Sequence, residues 1–142
     1  MCLLTYQKEP IILKEDKVVW KVMKEEIAGK ILTWFNNFYY TLNKLYKQPI
    51  NIGDTAQAFD DPQCKMYIDK IDLETYILKE NVISIDKGFH AFTDKVLARK
   101  YALIGRTYRF LYKCIIPAGS EYYEDETGLC VSNQIIIVEK VD

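Results

Sequence analysis

His90 is the only histidine in the 142-residue chain, so imidazole chemistry near neutral pH has a single address. It stands in Gly88-Phe89-His90-Ala91-Phe92, where alternation puts His90 and Phe92 on one face and Phe89 and Ala91 on the other. One histidine leaves no pair for zinc and no H-E-x-x-H helix. A nucleophile served by it would be Cys114, Cys130 or Ser132, and no spacing ties any of them to it. Beside two phenylalanines, a lone strand histidine is read first as a hydrogen-bonded structural residue. Lys21 is the second candidate. In Lys17 to Lys24, Val18, Trp20 and Val22 share one face while Val19, Lys21 and Met23 share the other, so Lys21 points away from the tryptophan, into a cleft or into solvent.

The elements that must position these residues belong to one domain spanning 1–142. At 49% hydrophobic composition the chain can bury a core without disulfide or metal staples. With 19 basic and 20 acidic residues it offers no cationic field for a phosphate backbone, and nucleic acid is not an expected partner. Cys2, Cys64, Cys114 and Cys130 form no C-x-x-C pair, so no metal is expected, and Cys114 and Cys130 are read as small buried hydrophobes. The start lacks a basic stretch followed by a long apolar one, which predicts a reducing cytoplasm and no membrane contact. Asp60-Asp61 beside Pro62 has no EF-hand spacing and is read as solvated.

Residues 1–16 are read as an extended arm and Lys17–Lys24 as a strand. The stretch 31–46 fits a helical stripe and strand alternation equally; aromatic and threonine content favours a loop through Asn37 and a strand over Tyr39–Tyr46. Residues 49–65 should be a surface excursion, followed by an irregular piece and a strand leading into Gly88. Thr93 can cap a short helix, with Asp94 at the positive end of its dipole, running to Gly105. A strand from Thr107 to Ile116 should place Tyr108, Phe110, Tyr112, Cys114 and Ile116 on one face and Leu111 and Ile115 on the other. Pro117-Ala118-Gly119-Ser120 then reads as a type II turn, although glycine falls one place late for proline at its second position. Glu121-Tyr122-Tyr123, Leu129-Cys130-Val131 and a central Ile135-Ile136-Ile137-Val138 complete the strands. The fold class expected is α+β, a mostly antiparallel, twisted or split sheet with one or two short helices.

In its order of segments, from Lys-Val-Val-Trp-Lys-Val through Gly-Phe-His-Ala-Phe and Cys-Ile-Ile-Pro-Ala-Gly-Ser-Glu-Tyr-Tyr to Val-Ser-Asn-Gln-Ile-Ile-Ile, the chain resembles small uncharacterised proteins of bacteriophages and gut Bacteroidota. More remotely, the layout is similar to the split sheet of ADP-ribosyltransferases, which clamp NAD between two sheet halves. The resemblance implies Lys21 on the first cleft strand, His90 on the strand before the helix, and Gln134 where the poly-type enzymes carry the glutamate of an Asn-Glu-Tyr pattern. Tyr101 or Tyr108 would then hold the nicotinamide end. An amide can bond a ribose hydroxyl but supplies no negative charge for an oxocarbenium-like transition state. Glu121 or Glu139 would have to substitute.

The expected function is therefore a non-enzymatic binding protein of phage type, with a ligand site of Lys21, His90, Phe92, Tyr101, Tyr108 and Gln134 and no resident cofactor. Eleven Tyr, six Phe and two Trp suit either a nucleotide-derived ligand or a host defence protein, because aromatic faces stack on bases and anchor interfaces. An NAD-using transferase with Glu121 as its acid is the alternative, and a virion or cargo component is the third. The oligomeric state is open.

Overall fold

The computed structural model describes residues 3–5, 7, 9–27, 30–33, 39–53, 83–102 and 110–141. Among them the chain is a mostly antiparallel β structure with one short helix, α1 (Lys95–Ala102). The early strands are β1 (Leu3–Thr5), β2 (Ile11–Ile12), β3 (Lys17–Ile27), β4 (Lys30–Thr33), β5 (Tyr39–Tyr40), β6 (Leu45–Lys47) and β7 (Asn51–Gly53). The later ones are β8 (Ile83–Lys87), β9 (Phe89–Phe92), β10 (Phe110–Ile116), β11 (Glu121–Glu124), β12 (Leu129–Ser132) and β13 (Gln134–Lys140). A three-stranded sheet has the order β1-β8-β7, and a ten-stranded sheet runs β2-β11-β12-β9-β3-β10-β13-β6, with β4 on β3 and β5 on β4.

The large sheet closes on itself, and its turn chemistry makes the corner. β10 passes through a four-residue turn into β11, while β12 passes through Asn133 into β13, so the β10–β13 pair continues into the β11–β12 pair. β9 pairs both β12 and β3, which returns the path to β10. At the corner the Ser120 amide donates to the Pro117 carbonyl at 3.2 Å, and Gly119 has φ of 86°. Glycine thus occupies the third position of the type II turn, where φ must be positive, and proline the first. That explains the apparent late glycine. Asn133 braces the corner by accepting the Glu121 amide at 2.9 Å on its side-chain oxygen.

The alternation read from the sequence sets the two cores. Val19 and Met23 of β3 join Tyr112, Cys114 and Ile116 of β10 inside the roll, with Phe89, Cys130 and Ile137 from the strands around it. Trp20 and Val22 face the other way, with Phe92, Leu111 and Val131, where α1 and the small sheet contribute Ala98, Tyr101, Leu3 and Ile85. Asp94, not Thr93, caps α1: its Oδ1 accepts the Val96 amide at 2.9 Å, while Thr93 turns its hydroxyl to the Gly128 carbonyl at 3.1 Å. The helix bound at Gly105 lies outside the described residues.

Two expectations are corrected. Tyr39–Tyr46 is not one strand: β5 pairs with β4 and β6 with β13, and between them Asn43 adopts φ of 59°, a left-handed conformation that ends the extended run. The surface excursion predicted over 49–65 begins with a strand, since Asn51–Gly53 pairs with β8; residues 54–65 lie outside the described residues, as do 66–82 and 107–109. No described helix is long and apolar enough to cross a membrane.

Candidate functional site

The closure of the roll brings Lys21 to His90. β9 and β3 share only the pair Trp20 with Phe92, so beyond it the two strands part. Lys21 stands on the Val19 and Met23 face and reaches across this gap, its ammonium donating to the His90 backbone carbonyl. The contact supplies by side chain what strand pairing does not supply there. The same ammonium lies 5.9 Å from the centre of the Tyr40 ring, whose negative face adds attraction. Tyr40 is buried and meets Tyr46 edge to face at 4.9 Å and Phe89 at 6.3 Å.

The His90 ring is spent on the chain turn that delivers it. Its Nδ1 lies 3.2 Å from the carbonyl of Gly88, which joins β8 to β9, and its Nε2 3.3 Å from the carbonyl of Ile85 within β8. Burial disfavours the imidazolium and lowers the pKa to about 3, the Lys21 charge acting in the same direction and the two carbonyls opposing it. At neutral pH the ring is therefore uncharged, donating through one nitrogen. A base with so low a pKa is a poor proton acceptor for substrate chemistry at pH 7.

Desolvation also lowers the Lys21 pKa, with Cys114 and Cys130 raising it. The two cysteines are free and buried, and burial pushes each thiol up to about 12, so neither carries thiolate at neutral pH. Sequence reasoning read them as core residues and did not associate them with Lys21. The signal was available in the alternation, which puts Cys114 on the inner face of β10, directly beside Val19 of β3.

The remaining residues of the expected site separate. Phe92 stacks on Tyr101 at 4.9 Å and 30° beneath α1, in the outer core. Gln134 opens β13, pairing with Lys47 of β6, and its carbonyl accepts the Ser132 hydroxyl at 2.6 Å. Lys21 stands level with Tyr112 and so with Lys140 at the far end of β13. The two ends of that strand are about 20 Å apart. Ile135 and Ile137 face the interior of the roll, so alternation turns Gln134 away from the face that carries Lys21. Tyr108 lies outside the described residues. Lys21 and His90 thus meet, and Gln134 stands apart from Lys21.

Removing the Lys21 charge gives a signed prediction. With its folded pKa below the unfolded value of 10.5, Lys21 contributes most to stability above that value, and the contribution falls as pH drops through the folded one. Wild type should therefore gain stability relative to Lys21→Met as pH is raised from about 7 towards 10, read from urea midpoints; a pH-independent difference would contradict the desolvated ammonium.

Comparison with protein-family models, with curated proteins and with solved structures found no match.

Proposed function

We propose that this chain is a non-catalytic binding protein whose partner is a protein. One observation carries the reading: among the described residues Lys21, His90, Cys114 and Cys130 are engaged inside the fold, while apolar side chains stand exposed on its strand edges. Ile11 and Ile12 are 51% and 54% exposed, Tyr39 48% and Leu45 43%. Apolar positions grouped at sheet edges are what protein partners cover.

A nucleotide-derived ligand draws less support. Stacking on a base needs an aromatic face open to solvent; among the described residues Phe89, Phe92, Tyr101, Tyr112, Tyr122 and Tyr123 are buried, and the exposed Tyr39 stands on the β5 strand, away from the contact between Lys21 and the His90 carbonyl. Transferase chemistry draws less again. It would need an acid near His90 and Lys21, and the position the resemblance assigns to that acid holds an amide. A second copy of the chain and a host-cell protein, such as a defence component of the kind the likeness to small phage proteins implies, both belong to this class of partner.

Thermal-shift titration with NAD, ADP-ribose and cyclic nucleotides should leave Tm unchanged, and labelled NAD should transfer no label. A saturable rise in Tm that disappears in Lys21→Met, or label transfer that disappears in Glu121→Gln, would overturn the reading.

A further inference from the structure

We infer that the protein recognised is a second copy of this chain, joined head to tail, with the β2 edge of one molecule against the β6 edge of the next. The inference rests on the protein-binding reading above and names its partner. β2 and β6 end the main strand path of the ten-stranded sheet, with β5 ending its β4 branch, and no described strand pairs with the outer edge of β2 or β6. An unpaired strand edge presents backbone donors and acceptors to any strand that fits. In β2 both successive residues are more than half exposed. Neighbours on a strand point to opposite faces, so neither face of β2 is covered. β6 carries exposed Leu45, with exposed Leu42 just before it.

Charge selects the pairing. β2 lies against β11; the segment 8–17 that carries β2 balances Lys8, Lys14 and Lys17 against Glu9, Glu15 and Asp16, and residues 117–128 add Glu121, Glu124, Asp125 and Glu126 with no lysine or arginine, which leaves this end net acidic. At the other end residues 30–53 hold Lys30, Lys44 and Lys47 with no aspartate or glutamate. An acidic edge with two exposed isoleucines therefore faces a basic edge with exposed leucines, whereas β2 against β2 or β6 against β6 would set like charges together. Two different patches make the contact heterologous, and repeated addition gives a ring or a filament instead of a closed dimer. Pro10 and Pro49 flank the two edges and keep the shared ladder to a few residues, so association should be weak and sensitive to salt.

Sedimentation velocity over rising protein concentration tests this. Wild type should pass beyond dimer mass, and half-molar salt should weaken association about tenfold. Ile12→Asp and Leu45→Asp, both at exposed positions, should each be monomeric, yet an equimolar mixture should give heterodimer and nothing larger, because each variant keeps one good edge. Lys44→Glu with Lys47→Glu should also give monomer, a check that leaves the apolar positions untouched. Wild type monomeric at every concentration, or single-edge variants that still dimerise alone, would overturn the inference. A monomer that binds a different purified protein would overturn it too while leaving the protein-binding reading in place; a saturable nucleotide response would remove both.

Discussion

Acidification from pH 7 to pH 3 should cost the wild-type chain about 4 kcal/mol more stability than it costs His90→Gln. An unfolded histidine titrates near 6.5, while burial between β8 and β9 lowers the folded value to about 3. The unfolded chain therefore takes up the His90 proton first as pH falls. The neutral ring's contribution is complete above about 6.5 and is lost progressively down to the folded pKa. Carboxylates titrate in the same window, but they do so in both proteins, so the difference between wild type and variant isolates the ring. Glutamine keeps a donor for one of the two carbonyls and cannot be charged. Urea midpoints at half-unit pH steps measure the effect, and parallel curves for the two proteins would contradict it.

Gly88→Ala should destabilise the fold by about 4 kcal/mol, from backbone strain and overpacking together. Gly88 has φ of 134°, a conformation that side chains with a Cβ rarely adopt. A Cβ placed there would lie 2.4 Å from Cγ1 of Val131 and 3.3 Å from the Ser132 carbonyl. Val131 is fully buried and β-branched, so it has little room to rotate away. The same glycine offers its carbonyl to the His90 ring, so the substitution should also disturb the histidine environment. Chemical denaturation gives the cost; a loss under about 1 kcal/mol would show that the turn relaxes easily.

Much of this arrangement could be read from residues alone, for identifiable reasons. Strict alternation in Lys17–Lys24 sorted Val19 and Met23 from Trp20 and Val22, because β3 is covered on both faces by different partners. Pro117 to Ser120 announced its turn through the glycine that must have positive φ. The seam between β3 and β9 gave no such signal. It depends on a single residue pair between segments far apart in sequence, and on a lysine whose partner is a backbone carbonyl, which no motif encodes. Tyr39–Tyr46 misled for a related reason: its aromatics suit an extended chain, but Tyr40 and Tyr46 serve different strand partners and meet only because the chain reverses at Asn43. Gln134 was linked to Lys21 by the order of strands, and order does not reveal how far along a strand two residues stand.

The same distinction bears on function. A lysine and a histidine in contact look like a catalytic pair when only proximity is considered. Their partners say otherwise: the ammonium is bound to a backbone carbonyl, and the ring nitrogens face the carbonyls of Gly88 and of Ile85 in β8. The ammonium contact and the one hydrogen bond that a neutral ring can donate both stabilise the closure of the roll.

Because the chain has one histidine, its imidazole signals can be followed by NMR without assignment ambiguity. A titration of the folded protein should show the ring neutral throughout the range in which free histidine protonates, with no change in its shifts on adding NAD. Protonation near pH 6.5 in the native state, with shifts that move on adding NAD, would show His90 open to solvent and ligand and would contradict the account.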